Sequence, residues 1–495
     1  MPFGRKVDYT ELLGGFGEKL RGAKRELILE GDTDYCYAPE YMGNKSIYLK
    51  FHPKTRELIV HDGACAKVYA DGELIYAYQL FDRFKPGGKR IGGDTHGAIT
   101  STRDSVFFGG WAYADVSLKD SNLTFTKKYS HIHRIGVDGR KVDLVWWDGP
   151  GTESSYVGEV TDMLFSPKDD AVYFTRADGG SDIWKLDLNT MRVARAAAAG
   201  NMYKMELFDD AIVTGGPIWS GSGGAIVVYS LRDGSLTTYT SAVGRYAGST
   251  LTNVNGQVVQ YMNSLWLFSF GAVVLFRPKT GERYQFPFFR FSSSPYVAGR
   301  RSQKAYVGGT PVVAVNPWDS SDFLNGVAGL LLRFETPVPQ IIMPTGCVYG
   351  LETDGKRLYI ASAPQNHIYR GGNPVNYEPG RGGVFAVPVG EVFKKPFAPV
   401  EFRDSIYNWA AYNYYLGVPI NGFSRKVLKV NAPAAFTMNV VVYHLWSTPD
   451  YDETFNVNLS SGWNTIDLSS YDGLVAAAPT SNVSGWTHTK LILEP

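Results

Sequence analysis

Residues 157–199 read VGEVTDMLFSPKDDAVYFTRADGGSDIWKLDLNTMRVARAAAA. Val160 to Phe165 is an apolar run closed by the turn Ser166-Pro167-Lys168-Asp169-Asp170. Ala171 to Thr175 follows and stops at Asp178-Gly179-Gly180. Ile183 to Leu188 alternates apolar and polar residues, the period of a half-buried strand. Asp187-Leu188-Asn189-Thr190 then turns the chain into Val193 to Ala199. Four short strands joined by tight polar turns make one antiparallel sheet of the kind that forms a β-propeller blade. Such a sheet has two apolar faces and cannot bury both alone, so the stretch predicts copies of itself.

Copies are found on both sides. Ser46 to Phe81 carries four β-rich runs with the turns His52-Pro53-Lys54-Thr55 and Asp71-Gly72, both hairpin signals. Gly97 to Trp147 gives a second unit, with an apparent insertion from Ala112 to Tyr129. After the opening stretch come Tyr203 to Thr240, Leu251 to Phe286, Tyr296 to Ile342 and Cys347 to Phe402, the last ending on the run PVEF. Unit starts are about 40 to 60 residues apart, near the ~40–50 of known propeller repeats. The segments IWKLDLNTMRVARA, IVVYSLRDGSLTTYT, AVVLFRPKTGERYQF and HRIGVDGRKVDLVWW share one pattern of strand, polar turn, strand. The expectation is an all-β chain with a seven-bladed β-propeller over residues 46–402; stacked sandwiches with accidental spacing are the alternative. Residues 1–45 read as an N-terminal covering extension, with a short helix across Tyr9 to Lys24, or as a segment that lends a strand to close the ring.

Past Phe402 the pattern changes. An aromatic run (Tyr407, Trp409, Tyr412, Tyr414, Tyr415) leads into six alternating segments, from RKVLKV to HTKLILEP. Residues 403–495 therefore read as a small C-terminal β-sandwich, with the aromatic run as its interface to the propeller.

The totals exclude several classes. With 49 Lys and Arg against 48 Asp and Glu, the net charge of +1 gives no reason to expect nucleic acid or an anionic membrane. Three cysteines (Cys36, Cys65, Cys347) do not make a disulfide framework. The first residues, MPFGRKVDYTELLGGFGEKLRG, lack the apolar core of a signal peptide, and no run approaches the ~20 apolar residues of a membrane helix. A cytoplasmic protein is the default. An extracellular or virion-surface protein also fits, with four sequons (Asn44, Asn122, Asn458 and Asn482) compatible with export.

No nucleophile elbow, zincin helix, Walker loop, EF-hand or C-x-x-C pair occurs. The most informative cluster is Gly92-Gly93-Asp94-Thr95-His96-Gly97, where the second unit's inner strand begins. Inner strands ring the central channel of a propeller. Asp94, His96, Glu159, Asp162 and Asn201 are therefore candidates to share a channel mouth, as carboxylates and an imidazole suited to a divalent metal such as Ca²⁺ or Zn²⁺. The bland reading is that these groups bond to loop amides. His131 and His133 alternate along a strand and can reach one metal, although a solvent-facing pair is the simpler reading; His52 and His61 read as turn and surface residues. In the C-terminal unit, Asp450-Tyr451-Asp452-Glu453 could hold Ca²⁺. Trp446, Trp463 and Trp486 could stack on a sugar ring or a partner, or be core tryptophans.

Residues 46–402 resemble an uncharacterised family of archaeal β-propeller proteins, a domain of unknown function. The resemblance rests on DMLFSPKDDAVYFTRADGGSDIWKLDL (162–188) and GLETDGKRLYIAS (350–362). It implies a propeller and transfers no activity. Three functions compete: a non-enzymatic scaffold or binding protein with a protein partner or self-assembly, a metal-dependent hydrolase of the lactonase type using the channel carboxylates and His96, and a carbohydrate-binding protein using the C-terminal tryptophans.

Overall fold

The computed structural model describes residues 26–30, 47–62, 67–77, 90–95, 97–119, 122–124, 127–151, 157–177, 179, 182–200, 202–216, 224–242, 251, 254, 256–292, 296–298, 302–317, 329–334, 337–345, 347–363, 367–370, 373–377, 383–393, 399–445 and 452–495. The expected helix across Tyr9 to Lys24 lies outside them.

The first described strand is β1 (Glu26–Glu30). The next sheet runs β2 (Ile47–Phe51), β3 (Leu58–Asp62), β4 (Lys67–Ala70), β5 (Glu73–Ala77). The second contains β6 (Arg90–Asp94), β7 (Ile99–Ser101), β8 (Val106–Lys119), β9 (Asn122–Thr124), β10 (Lys127–Ile135) and β11 (Val142–Gly151). The stretch that opens the sequence reading folds as β12 (Glu159–Ser166), β13 (Ala171–Ala177), β14 (Asp182–Asp187) and β15 (Arg192–Ala197), paired in that order. A fourth sheet is β16 (Met205–Phe208) to β19 (Leu236–Tyr239), through β17 (Ala211–Gly216) and β18 (Ala225–Ser230). The fifth is β20 (Val258–Tyr261), β21 (Ser264–Ser269), β22 (Ala272–Arg277) and β23 (Glu282–Pro287). In the sixth, β24 (Tyr296–Ala298) and β25 (Lys304–Val307) both pair with β26 (Thr310–Pro317), followed by β27 (Gly329–Arg333) and β28 (Gln340–Thr345). The last sheet of the series has β29 (Cys347–Thr353), β30 (Arg357–Ala363) and β33 (Gly383–Pro388), with the hairpin β31 (His367–Arg370), β32 (Asn373–Tyr377) between the last two.

Alternation along the strands explains how these sheets assemble. Successive residues point to opposite faces, so Tyr48, Ile59 and Val68 pack on the second sheet through Ile99, Val106 and Phe108. Their neighbours Leu49, Val60 and Tyr69 pack the other way, on Tyr359, Ala361 and Val384 of the β29–β30–β33 sheet. Further apolar clusters join the second sheet to the third, the third to the fourth, and so on through the sixth and β29–β30–β33. The first strands also touch in sequence: β2 with β7, β7 with β12, β12 with β16, β16 with β20, β20 with β26, β25 with β29, and β29 back to β2. The arrangement is a β-propeller. Each Val, Leu, Ile or Phe sealed between sheets contributes roughly 1.5–3 kcal/mol.

Of the two readings of residues 1–45, the strand-lending one describes residues 26–30, while the run PVEF and the segment from Ala112 differ from the sequence reading. The outermost strand of the β29–β30–β33 sheet is β1, with Glu26 opposite Ala386 and Glu30 opposite Gly383, so the chain's start closes the ring. The run PVEF instead opens β34 (Val400–Trp409), which crosses the expected boundary at 402/403. Local pattern cannot distinguish these outcomes, because ring closure is a pairing between distant segments. The apparent insertion from Ala112 is also largely sheet: β8 and β10 continue their register to Ala114 opposite Lys127.

Eight strands complete the C-terminal unit: β34, β35 (Tyr415–Pro419), β36 (Arg425–Ala432), β37 (Phe436–Tyr443), β38 (Glu453–Leu459), β39 (Gly462–Asp467), β40 (Leu474–Pro479) and β41 (Val483–Glu494). They form two sheets, ordered β34–β41–β36–β39 and β35–β40–β37–β38. Leu428, Val430 and Leu491 of one share a core with Val440, Val442 and Ala476 of the other. That core runs on into Trp266, Phe268, Val313 and Leu330 of the fifth and sixth sheets. The junction is backbone to backbone. Phe289 N–H donates to Gly417 O (2.9 Å), and Arg290 and Leu416 exchange both bonds at 2.8 Å. Gly417 has φ +62°, and a Cβ there would lie 2.4 Å from the Pro287 carbonyl, so the close approach requires glycine. Phe289 and Phe291 pack on Phe402, while Tyr407 and Tyr412 are each 60% exposed. Residues 287–292 supply this junction, and two of the five aromatics expected there face solvent.

Candidate functional site

Of the residues expected to share a channel mouth, Glu159 and Asp162 are described with their side chains, and both are engaged by neighbouring groups. The Lys128 ammonium, on β10, is buried and donates to Glu159 Oε1 at 2.7 Å, with the Trp111 ring 4.4 Å away. Asp162 accepts from Met205 N–H at 2.8 Å and stands 3.9 Å from Lys204 Nζ. Lys204 is fully buried; a Cβ on Gly97 (φ +91°) would come 3.0 Å from its Nζ and 3.1 Å from the Tyr48 ring. Burial drives this pair toward its neutral forms. The Asp162 carboxyl is pushed up, against the pull of Lys204 and Lys304. The Lys204 ammonium is pushed down to about 8, with Asp162 opposing. Lys304 donates to Met205 O and Val258 O and pairs with Glu206 at 2.9 Å, while Tyr306 donates its hydroxyl to Glu206. Burial and the Glu206 charge push the Tyr306 phenol upward. Gln303 bonds both N–H and C=O of Leu49, tying the sixth sheet to the first.

Glu159 and Asp162 thus have lysine partners where the sequence reading allowed metal ligands. Asp94 sits on β6 opposite Trp111, and its side chain lies outside the described set, as do His96 and Asn201. Among the described residues no three His, Cys, Asp or Glu side chains are placed to share a metal ion. The signal missed in the sequence was the lysines: a cation in a β-rich run reads as surface, whereas Lys128 and Lys204 are core.

The histidines also differ from expectation. His52, His61, His131 and His133 are all fully buried. His52 Nδ1 accepts from the N–H groups of Lys54 and Thr55, which leaves Nε2–H to donate to Gly136 O at 2.9 Å. His131 and His133 face the first sheet, not solvent. Their Nδ1 atoms are 3.2 Å apart, and the His133 ring lies parallel to Phe108, with His61 on the same phenyl ring. Desolvation, reinforced for His61 by His131, holds His61 and His131 down at about 3 and His133 well below its ordinary value.

Exposed aromatic groups gather elsewhere, on the outer face of β34–β41–β36–β39. Trp463 is 62% exposed, Tyr407 60% and Trp486 54%. Ser405, His488, Asn431 and Trp463 are opposite one another across the four strands, so they share a face. Tyr407 and Trp486 pair in the next row, their rings 5.0 Å apart, and the Trp486 and His488 planes lie within 8° of parallel. The support is fixed. A bulge at Asn408 (φ +48°) accepts Gly485 N–H on its side chain and sets the Tyr407–Trp486 pair. Asn464 donates to Ser460 O and Gly462 O and accepts from Ser460 N–H, locking the turn that carries Trp463. Ser405 Oγ is 2.8 Å from His488 Nδ1. Trp446, Asp450 and Tyr451 lie outside the described residues. Asp452 bonds His444 N–H, and Glu453 pairs with the His444 ring at 3.1 Å.

Residues 59–349, from β3 into β29, match the family described as "Uncharacterized protein conserved in archaea (DUF2139)". The chain belongs to that family. The match covers most of the ring and stops before the C-terminal sheets. Among curated proteins none matches. Similar solved structures include a protein of unknown function from Bacteroides thetaiotaomicron, at 11% identity and TM-score 0.33 over 67% of this chain and 82% of that one. A chain of the mitotic checkpoint complex is 9% identical, with TM-score 0.40 over 73% and 93%. TolB from Acinetobacter baumannii is 13% identical, with TM-score 0.29 over 69% and 63%. No likeness of that size carries a functional argument. Among the described residues no helix is long and apolar enough to cross a membrane.

Proposed function

We propose that this archaeal family member is a binding protein that mediates surface assembly, with the ring of sheets as a rigid frame and the C-terminal sheets as its contact surface. One contrast carries the reading: Glu159 is engaged by Lys128 and Asp162 by Met205 N–H beside Lys204, whereas large aromatic side chains stand exposed on a braced outer sheet face. Exposed patches of this kind mark interaction sites on soluble proteins. A metal-dependent hydrolase would instead need open ligand positions in the channel. Metal content of protein prepared without chelator separates the two. The expected result is less than one equivalent of metal, unchanged by Glu159→Gln. One equivalent that disappears in Asp94→Ala or His96→Ala would overturn the binding reading in favour of the hydrolase.

A further inference from the structure

We infer that the outer face of β34–β41–β36–β39 binds an acidic polysaccharide, a chain of linked pyranose rings bearing carboxylates; this rests on the binding reading above. Trp486 and Trp463 lie on strands separated by β36 and one row apart, which places them about 12 Å from each other, a span of two or more linked sugar rings. Flat indole faces suit the apolar C–H faces of pyranoses, because Trp offers large contact area at low entropic cost. Between the rings stand His488 and Asn431, with Ser405 bonded to His488 from the neighbouring strand, polar groups matched to a ligand dense in hydroxyls.

Charge selects the carboxylate. The row next to Ser405–His488–Asn431–Trp463 is Arg403–Lys490–Lys429–Thr465, again in register across the sheet. Arg403 and Lys490 share one carboxylate, Glu401, at 2.6 and 2.8 Å. With Glu401 and Asp467 both in the row beyond, three cations face two anions, which leaves the face net positive about 7 Å from Trp463 and about 14 Å from Trp486. A nucleic acid would also meet rings and cations, but its phosphate backbone is tracked by a continuous basic groove, and here the row beyond the three cations carries Glu401 and Asp467. A protein interface sets its Trp and Tyr anchors in a desolvated centre depleted of charge, whereas here Arg403, Lys490 and Lys429 stand in the row next to His488 and Trp463. The outward aliphatic residues Val427 and Ile492 sit two rows from Trp463, beside Asp467, and Val427 is buried.

Titration calorimetry of the full chain with oligogalacturonates of increasing length tests this. Wild type is expected to bind, more tightly once the oligomer spans both indoles. Trp486→Ala and Trp463→Ala should each weaken binding about tenfold, and Trp463→Tyr should restore part of the loss. Lys429→Gln should weaken binding several-fold and flatten its salt dependence. Melting temperatures should stay at the wild-type value, because these side chains are at the surface. Equal affinity for neutral cello-oligosaccharides, preference for single-stranded DNA, or no binding by the folded wild type would each overturn the inference. If wild type binds no oligogalacturonate yet is retained by another ligand through Trp463 and Trp486, the glycan assignment fails and the binding reading stands. If nothing is retained through that face, both fail.

Discussion

Replacing Lys128 by Met should lower the unfolding free energy by about 3–5 kcal/mol, the usual cost of removing one member of a buried ion pair. Its ammonium is 2.7 Å from Glu159 and packed against Trp111, with no solvent to replace it. The substitution keeps most of the packing volume and takes a buried ammonium away from the Glu159 carboxylate, so the penalty is electrostatic. The double variant Lys128→Met/Glu159→Gln should recover much of the loss, because it removes both charges. Denaturant unfolding of the two singles and the double checks this as a cycle. A Lys128→Met protein as stable as wild type would contradict the ion-pair assignment and favour a bound cation at Glu159.

Acid should destabilise the junction of the first two sheets well above the pH at which ordinary carboxylates titrate. His61 and His131 are held near 3 and His133 is also depressed, against 6.5 in the unfolded chain. Between these values the unfolded state binds protons that the folded state refuses. Stability is therefore full above about pH 6.5 and falls as pH drops toward 3, by roughly 1 kcal/mol per pH unit for each histidine. Asp162 and Asp404 oppose the trend, because their raised carboxyls take up protons in the folded state first. The clean measurement is the difference in slope between wild type and His133→Phe, whose new ring can stack on Phe108 as the imidazole does. The variant should show the shallower loss from pH 6.5 to 4.5; identical slopes would show that His133 is protonated in the folded protein.

Much of the fold is legible in the sequence because short strands announce themselves through turns. The stretch from Glu159 to Ala197 folds within a residue or two of its sequence reading, and six C-terminal segments fall on β36 to β41. What local pattern could not carry is pairing over distance: β1 reaching β33, and residues 287–292 joining β35 and β34. The candidate site was less legible for a related reason. Burial of a charged residue depends on which partner folds over it, so Lys128 and Lys204 look like surface and His131 and His133 like a solvent-facing pair. Trp463 and Trp486 are the reverse case. Strand alternation alone puts them on one face with polar neighbours, and only the stacking of the second sheet determines that this face looks outward.

The most direct test of the account compares wild type with Trp463→Ala/Trp486→Ala on a panel of immobilised glycans and proteins, at matched melting temperature. Whatever retains the wild type should release the double variant, while Asp162→Asn should be retained as the wild type is. Retention that survives loss of both indoles but disappears in Asp162→Asn would contradict it and return the functional site to the channel.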